Sequence, residues 1–89
     1  MSVQRLQIMN QKGLHARASA KLVETVERFD ASATIRKDGL DASGDSIMGL
    51  LMLAASKGTF IEVETKGPQA EELGRAIADL VADMFGEGN

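Results

Sequence analysis

Ala33-Thr34-Ile35-Arg36-Lys37-Asp38-Gly39-Leu40-Asp41-Ala42-Ser43 is the stretch that decides the fold. Residues 33–37 alternate as a half-buried strand does. Asp38-Gly39 then supplies two residues that tolerate positive φ, the chemistry of a tight hairpin turn. Leu40 to Ser43 is therefore expected to return antiparallel, and this hairpin sets the sense of the sheet.

Toward the N-terminus, Ala16, Ala20, Leu22, Val23, Val26 and Phe29 recur at helical spacing, which predicts a helix from Ala16 to Phe29 that ends near Asp30. Before it, Val3 to Met9 alternates, with Leu6 and Ile8 on one face and Arg5 and Gln7 on the other, as a strand would. Toward the C-terminus, Asp45 and Ser46 precede the apolar run Ile47 to Leu53, too continuous for an alternating strand and introduced by good N-cap residues. That run predicts a short helix, ended at Lys57-Gly58. Phe60 to Lys66 alternates again, Gly67-Pro68 breaks the chain, and Leu73, Ile77, Leu80, Val81 and Met84 form the stripe of a last helix. Gly86 to Asn89 is expected to fray. The order is βαββαβα, and one-sided strands with one-striped helices pack as an α+β domain, a four-stranded antiparallel sheet with three helices on one face. With 89 residues the chain has room for one domain, 1–89.

Composition narrows the chemistry. There is no cysteine, so disulfides, thiolate zinc sites and cysteine nucleophiles are excluded, and a reducing cytoplasm is the expected compartment. The N-terminal residues lack the apolar core of a secretory signal, and the longest apolar run, Ile47 to Ala55, is about half the roughly 20 residues of a membrane span. A soluble protein is expected. The net charge is −3 and there is no Trp or Tyr to stack on bases, which argues against nucleic acid. A single His cannot assemble a usual closed zinc site or spare a base for a serine triad, so no metal and no cofactor are expected. Gly44 to Gly49 resembles a glycine-rich nucleotide loop only loosely, lacking the phosphate-binding lysine.

His15 stands where the turn after the first strand hands over to the first helix. A first helical turn leaves backbone N–H groups without intrahelical partners, and with the macrodipole they form a site for a phosphate-sized anion. The same positive end disfavours an imidazolium, so a neutral ring with a free lone pair, able to attack phosphorus, is expected there. Arg17 brings a planar cation that can spread the charge of a loose phosphoryl-transfer transition state. Read as residue types alone, a lone His at a helix start is more often a capping or surface residue than a functional one, and Arg17 a solvated one. Ser46 likewise reads first as an N-cap, although a phosphoryl group there would also meet a helix N-terminus and alter nearby docking. The short helix that follows has almost no polar face, so part of it must face outward, either under loops or as a docking patch whose methionines adapt to several partners.

Gly13-Leu14-His15-Ala16-Arg17 followed by Ser46-Ile47-Met48-Gly49-Leu50, in a chain of this length, resembles the HPr family, the histidine-containing phosphocarrier proteins of the phosphoenolpyruvate-dependent phosphotransferase system. The resemblance covers essentially the whole chain. It implies an open-faced β-sandwich and a phosphoryl group carried on Nδ1 of His15, assisted by Arg17 and by the backbone of Ala16, Arg17 and Ala18. Such proteins are stoichiometric carriers, not complete enzymes. Enzyme I is the implied donor and IIA-type domains the acceptors. Ala20, Lys21, Glu24, Ile47, Met48, Gly49, Leu51 and Met52 are the implied partner-binding residues of a monomer. Ser46 matches the position modified by an HPr kinase/phosphorylase in many relatives. One departure stands out: the family pattern has proline after Arg17, and this chain has Ala18. Proline would preset the first turn, whereas Ala18 keeps an N–H. That departure fits a nitrogen-related branch which regulates through protein contacts and does not transport sugar.

Overall fold

The computed structural model describes residues 1–87; the fraying expected of Gly88 and Asn89 lies outside the described residues. The elements are β1 (Ser2–Gln7), α1 (Ala16–Glu27), β2 (Ser32–Lys37), β3 (Leu40–Ser43), α2 (Ile47–Met52), β4 (Phe60–Lys66) and α3 (Ala70–Ala82), followed by a 3-10 turn at Met84–Gly86. All strand pairs are antiparallel, in the order β1-β4-β2-β3, so the expected βαββαβα order and four-stranded sheet are present. Lys37 pairs with Leu40 across a two-residue loop whose Asp38 and Gly39 take φ of 51° and 82°, as the hairpin reading requires.

Alternation along the strands divides the sheet's two faces. Ala33, Ile35, Ala42, Ile61 and Val63 point into the core with Leu22, Val26, Leu50, Leu73 and Ile77 from the helices. Among the described residues the opposite face carries no helical layer. There Arg36 on β2 meets Glu62 at 3.2 Å and Glu64 at 2.7 Å on β4 and Asp41 at 3.4 Å on β3, while Lys66 meets Glu64 at 3.1 Å. The Arg36 hydrogen bond holds Glu64 below the usual carboxylate range, with Lys66 adding to it. Arg5 lies over the Phe60 ring, 4.1 Å from its centroid, a cation–π pair that covers an exposed aromatic.

Two readings of the helices need correction. The buried face of α1 is Ala18, Ser19, Leu22, Val23, Thr25 and Val26, with Ala16 exposed and Ala20 only partly buried. A hydroxyl is tolerated on that face because it finds a backbone carbonyl: Thr25 Oγ1 donates to Lys21 O at 2.9 Å and Ser19 Oγ to Leu14 O at 3.3 Å. At the other end, Met84 does not extend the stripe of α3. The helix stops at Ala82, and Met84, Phe85 and Gly86 take φ of 53°, 54° and 76°, a left-handed run that turns the chain back. Phe85 is thereby driven into the core with no exposed surface. Gly86 and Glu87 are consequently not frayed.

Candidate functional site

The position of His15 is set by the loop before it. Gly13 N–H donates to Asn10 O at 3.2 Å, and Leu14 N–H donates to Ala55 O at 2.8 Å. Gly13 sits at φ +64°, and a Cβ there would lie 2.4 Å from Ala55 O and 2.8 Å from Ser56 Cα, so only glycine permits this crossing of two backbones. With Leu14 buried, His15 follows in extended conformation as the N-cap residue of α1, its carbonyl accepting from Ser19 N–H at 2.8 Å. Its side chain makes no cap hydrogen bond. The first-turn N–H groups of Ala16, Arg17 and Ala18 therefore have neither an intrahelical partner nor that side chain. They stand at the positive end of a twelve-residue helix.

The imidazole is not bare, and here sequence reading missed a residue. The left-handed run at Met84–Gly86 returns Glu87 to the start of α1, where its Oε2 meets Nε2 of His15. Its Oε1 accepts from Asn10 Nδ2 at 3.0 Å. Asn10 is wholly buried, and its Nδ2 also donates to Gly13 O at 2.8 Å. With the amide so turned, Oδ1 is left without a partner among the described residues. The reverse orientation would press that oxygen against two acceptors, a larger cost. The return is fastened a second time by Lys21 Nζ, which donates to Phe85 O at 2.5 Å. No local pattern in Met84-Phe85-Gly86-Glu87 announces this contact; the one available signal was a large apolar Phe85 past the helix, which a small core would draw in.

Asn10 first, and His15 after it, hold the Glu87 carboxyl below its ordinary value against the opposing effect of burial. A depressed carboxyl contributes stability that is present above the unfolded-state value and is lost as pH falls through the lowered one. Glu87 is thus an anion at neutral pH, and an ionised carboxylate only accepts hydrogen bonds.

The other sequence-derived residues fall as follows. Arg17 is exposed, lines the same cleft as His15, Lys12 and Glu87, and enters no ion pair among the described residues. Lys21 is partly buried and committed to Phe85, while Glu24 is exposed. Ala18 is fully buried, so at the position where the family pattern has proline the side chain packs inward against the core. On α2, Ile47, Met48 and Met52 are exposed at 39%, 71% and 73%, Gly49 and Leu51 are partly buried, and Leu50 and Leu53 anchor the helix in the core. Because α1 packs on α2, this apolar surface and the histidine helix form neighbouring parts of one side of the molecule.

Ser46 is the N-cap of α2, its Oγ accepting from Gly49 N–H at 3.0 Å. A Cβ at Gly49 would lie 3.1 Å from that oxygen, which explains the small residue opposite the cap. Ser46→Ala is expected to cost about 1 kcal/mol, the usual value of such a cap. Thermal unfolding should show it as a drop of roughly 4–8 °C.

The antiparallel sheet with helices on one face, and a lone imidazole at the start of its first helix, define an open-faced β-sandwich of small α+β type. The family model described as "PTS HPr component phosphorylation site" matches residues 3–83. The chain is 48% identical to the phosphocarrier protein HPr of Neisseria meningitidis serogroup A, over 99% of both chains. It is 44% identical to the phosphocarrier protein NPr of Escherichia coli K12, over 94% of both. In structure it superposes on HPr-C-His from Thermoanaerobacter tengcongensis with a TM-score of 0.93, at 34% identity and 98% coverage of each chain. The chain belongs to the HPr family of phosphocarrier proteins. No helix among the described residues is long and apolar enough to cross a membrane.

Proposed function

We propose that this chain works as a single-domain, monomeric, cytoplasmic phosphoryl carrier. It takes a phosphoryl group from phospho-enzyme I onto Nδ1 of His15 and gives it to a histidine of a IIA-type domain. The observation that carries the reading is the partly exposed imidazole at an uncapped helix start. In the transfer the Nδ1 lone pair forms the new N–P bond as the donor's bond to phosphorus breaks and its electron pair stays with the donor. The product is a dianionic group beside the free N–H groups of Ala16, Arg17 and Ala18, within reach of a cationic side chain at Arg17. Such a helix start is worth roughly 0.3–1 kcal/mol to an anion, and up to about 2 when partly buried. A modest hold suits a group that must leave again.

Docking is assigned to the side shared by α1 and α2. Ile47, Met48, Leu51 and Met52 form its apolar centre, with Ala20, Gly49, Lys21 and Glu24 around it. Ser46 borders this patch, and a phosphoryl group placed there by an HPr kinase/phosphorylase would add about two negative charges and weaken enzyme I docking by repulsion and desolvation. Incubation with ATP and that kinase should give an acid-stable phosphate that Ser46→Ala abolishes; without it, Ser46 serves as a cap only.

The carrier reading is tested by mixing the protein with phosphoenolpyruvate, magnesium and enzyme I. An acid-labile phosphoryl group should appear on the protein and pass to a IIA domain, and no labelling under these conditions overturns the reading. A second reading, a regulatory protein-binding module of a nitrogen-related phosphotransferase chain, draws support from Ala18. Comparing transfer to acceptors of the sugar and nitrogen-related chains separates the two.

A further inference from the structure

We propose that Glu87 is a positioning residue for His15, fixing the proton on Nε2 so that Nδ1 is left as the nucleophile. This deepens the carrier reading and rests on it.

A neutral imidazole has one N–H and one lone pair, and which nitrogen holds which is set by the partner of the other. Here Oε2 of Glu87 faces Nε2. An ionised carboxylate can only accept, so Nε2 is the donor and the lone pair lies on Nδ1. The carboxylate cannot easily rotate away, because Oε1 is held by Asn10 Nδ2 at 3.0 Å, and that amide is itself buried and bound to Gly13 O.

The backbone is committed to the same end. Two consecutive non-glycine residues, Met84 and Phe85, adopt left-handed φ, a conformation costly for each. They are kept there by a fully buried Phe85 ring and by the Lys21 ammonium on Phe85 O. These two costly residues are what turn Glu87 back onto the imidazole of His15.

During transfer, forming the Nδ1–P bond leaves positive charge on the ring. The Nε2 proton stays in place, shared with the adjacent carboxylate, and no proton has to move. On donation the Nδ1–P bond breaks, the electron pair returns to Nδ1, and the same tautomer is restored. Glu87 never touches phosphorus; it acts through the ring.

The test is nitrogen NMR of the 15N-labelled imidazole, which gives one pair of signals because the chain has one histidine. At mildly alkaline pH the wild type should show a pyrrole-like Nε2 and a pyridine-like Nδ1. In Glu87→Ala the tautomer ratio should move about tenfold toward the Nδ1–H form, the value of one charge-assisted hydrogen bond, with transfer from phospho-enzyme I slowed because the ring loses the carboxylate that faces its developing positive charge. Glu87→Asp should recover part of both, which a merely structural role would not require. An unchanged tautomer ratio in Glu87→Ala overturns the proposal. If the wild type accepts no phosphoryl group the carrier reading fails by itself, and the tautomer measurement, which needs no partner protein, still decides whether Glu87 fixes the ring.

Discussion

His15→Ala is expected to lose all acid-labile phosphorylation by phospho-enzyme I while unfolding within a few degrees of the wild type. The chemistry is lost outright because no other imidazole exists in the chain to accept the group. Lysine and arginine side chains are protonated at neutral pH and have no lone pair to offer. Hydroxyl acceptors would give acid-stable esters instead. The fold should tolerate the change because the ring is 27% exposed and takes no part in capping α1. The bond that does start the helix, Ser19 N–H to the His15 carbonyl, belongs to the backbone and survives. Filter binding of radiolabelled protein, with and without acid treatment, reads the first half of this prediction, and calorimetry the second. Acid-labile label on the alanine variant would remove His15 from the mechanism.

Gly13→Ala is expected to be the most damaging single methyl group for stability, at about 3 kcal/mol or more. Two penalties coincide there. The left-handed φ costs a residue with Cβ roughly 1–2 kcal/mol. The new methyl also meets Ala55 O at 2.4 Å and Ser56 Cα at 2.8 Å, backbone atoms that move only if the hydrogen bond from Leu14 N–H to Ala55 O is broken. A loss of that size lowers the melting temperature of a domain this small by more than about 10 °C. Gly39→Ala is the control. Gly39 also has positive φ, but nothing lies within 4 Å of its Cβ position, so only the conformational cost of about 1–2 kcal/mol applies. Equal losses at the two sites would show that the loop crossing beneath His15 is soft.

Much of this architecture is legible in the sequence because local and global signals agree. Asp38-Gly39 is a turn whatever surrounds it, and the runs 33–37 and 60–66 alternate cleanly because one face of the sheet meets water. The motif around His15 and Ser46 places both residues at helix starts, and they are N-caps. What was not legible depended on contacts distant in sequence. Ser19 and Thr25 read as polar, but a helix interior lets each hydroxyl bond a carbonyl of its own neighbourhood, so hydropathy misjudges them. Ala16 and Ala20 are small enough to fit either face and gave a misleading register. The chain end was beyond local reasoning altogether, since Met84 completes a helical period on paper and only the pull of the core on Phe85 reverses it. Glu87 could be tied to His15 only after that reversal, across seventy-two positions of sequence.

The uncovered side of the sheet has its own consequence. One guanidinium, Arg36, joins carboxylates on both neighbouring strands, and its charge is strengthened by them. Drying such a lattice against a second sheet would strip several ions of water at once, a penalty where drying an apolar surface is favourable. The open face of this half-sandwich is kept wet by its ion pairs, where other folds cover the same face with another layer of chain.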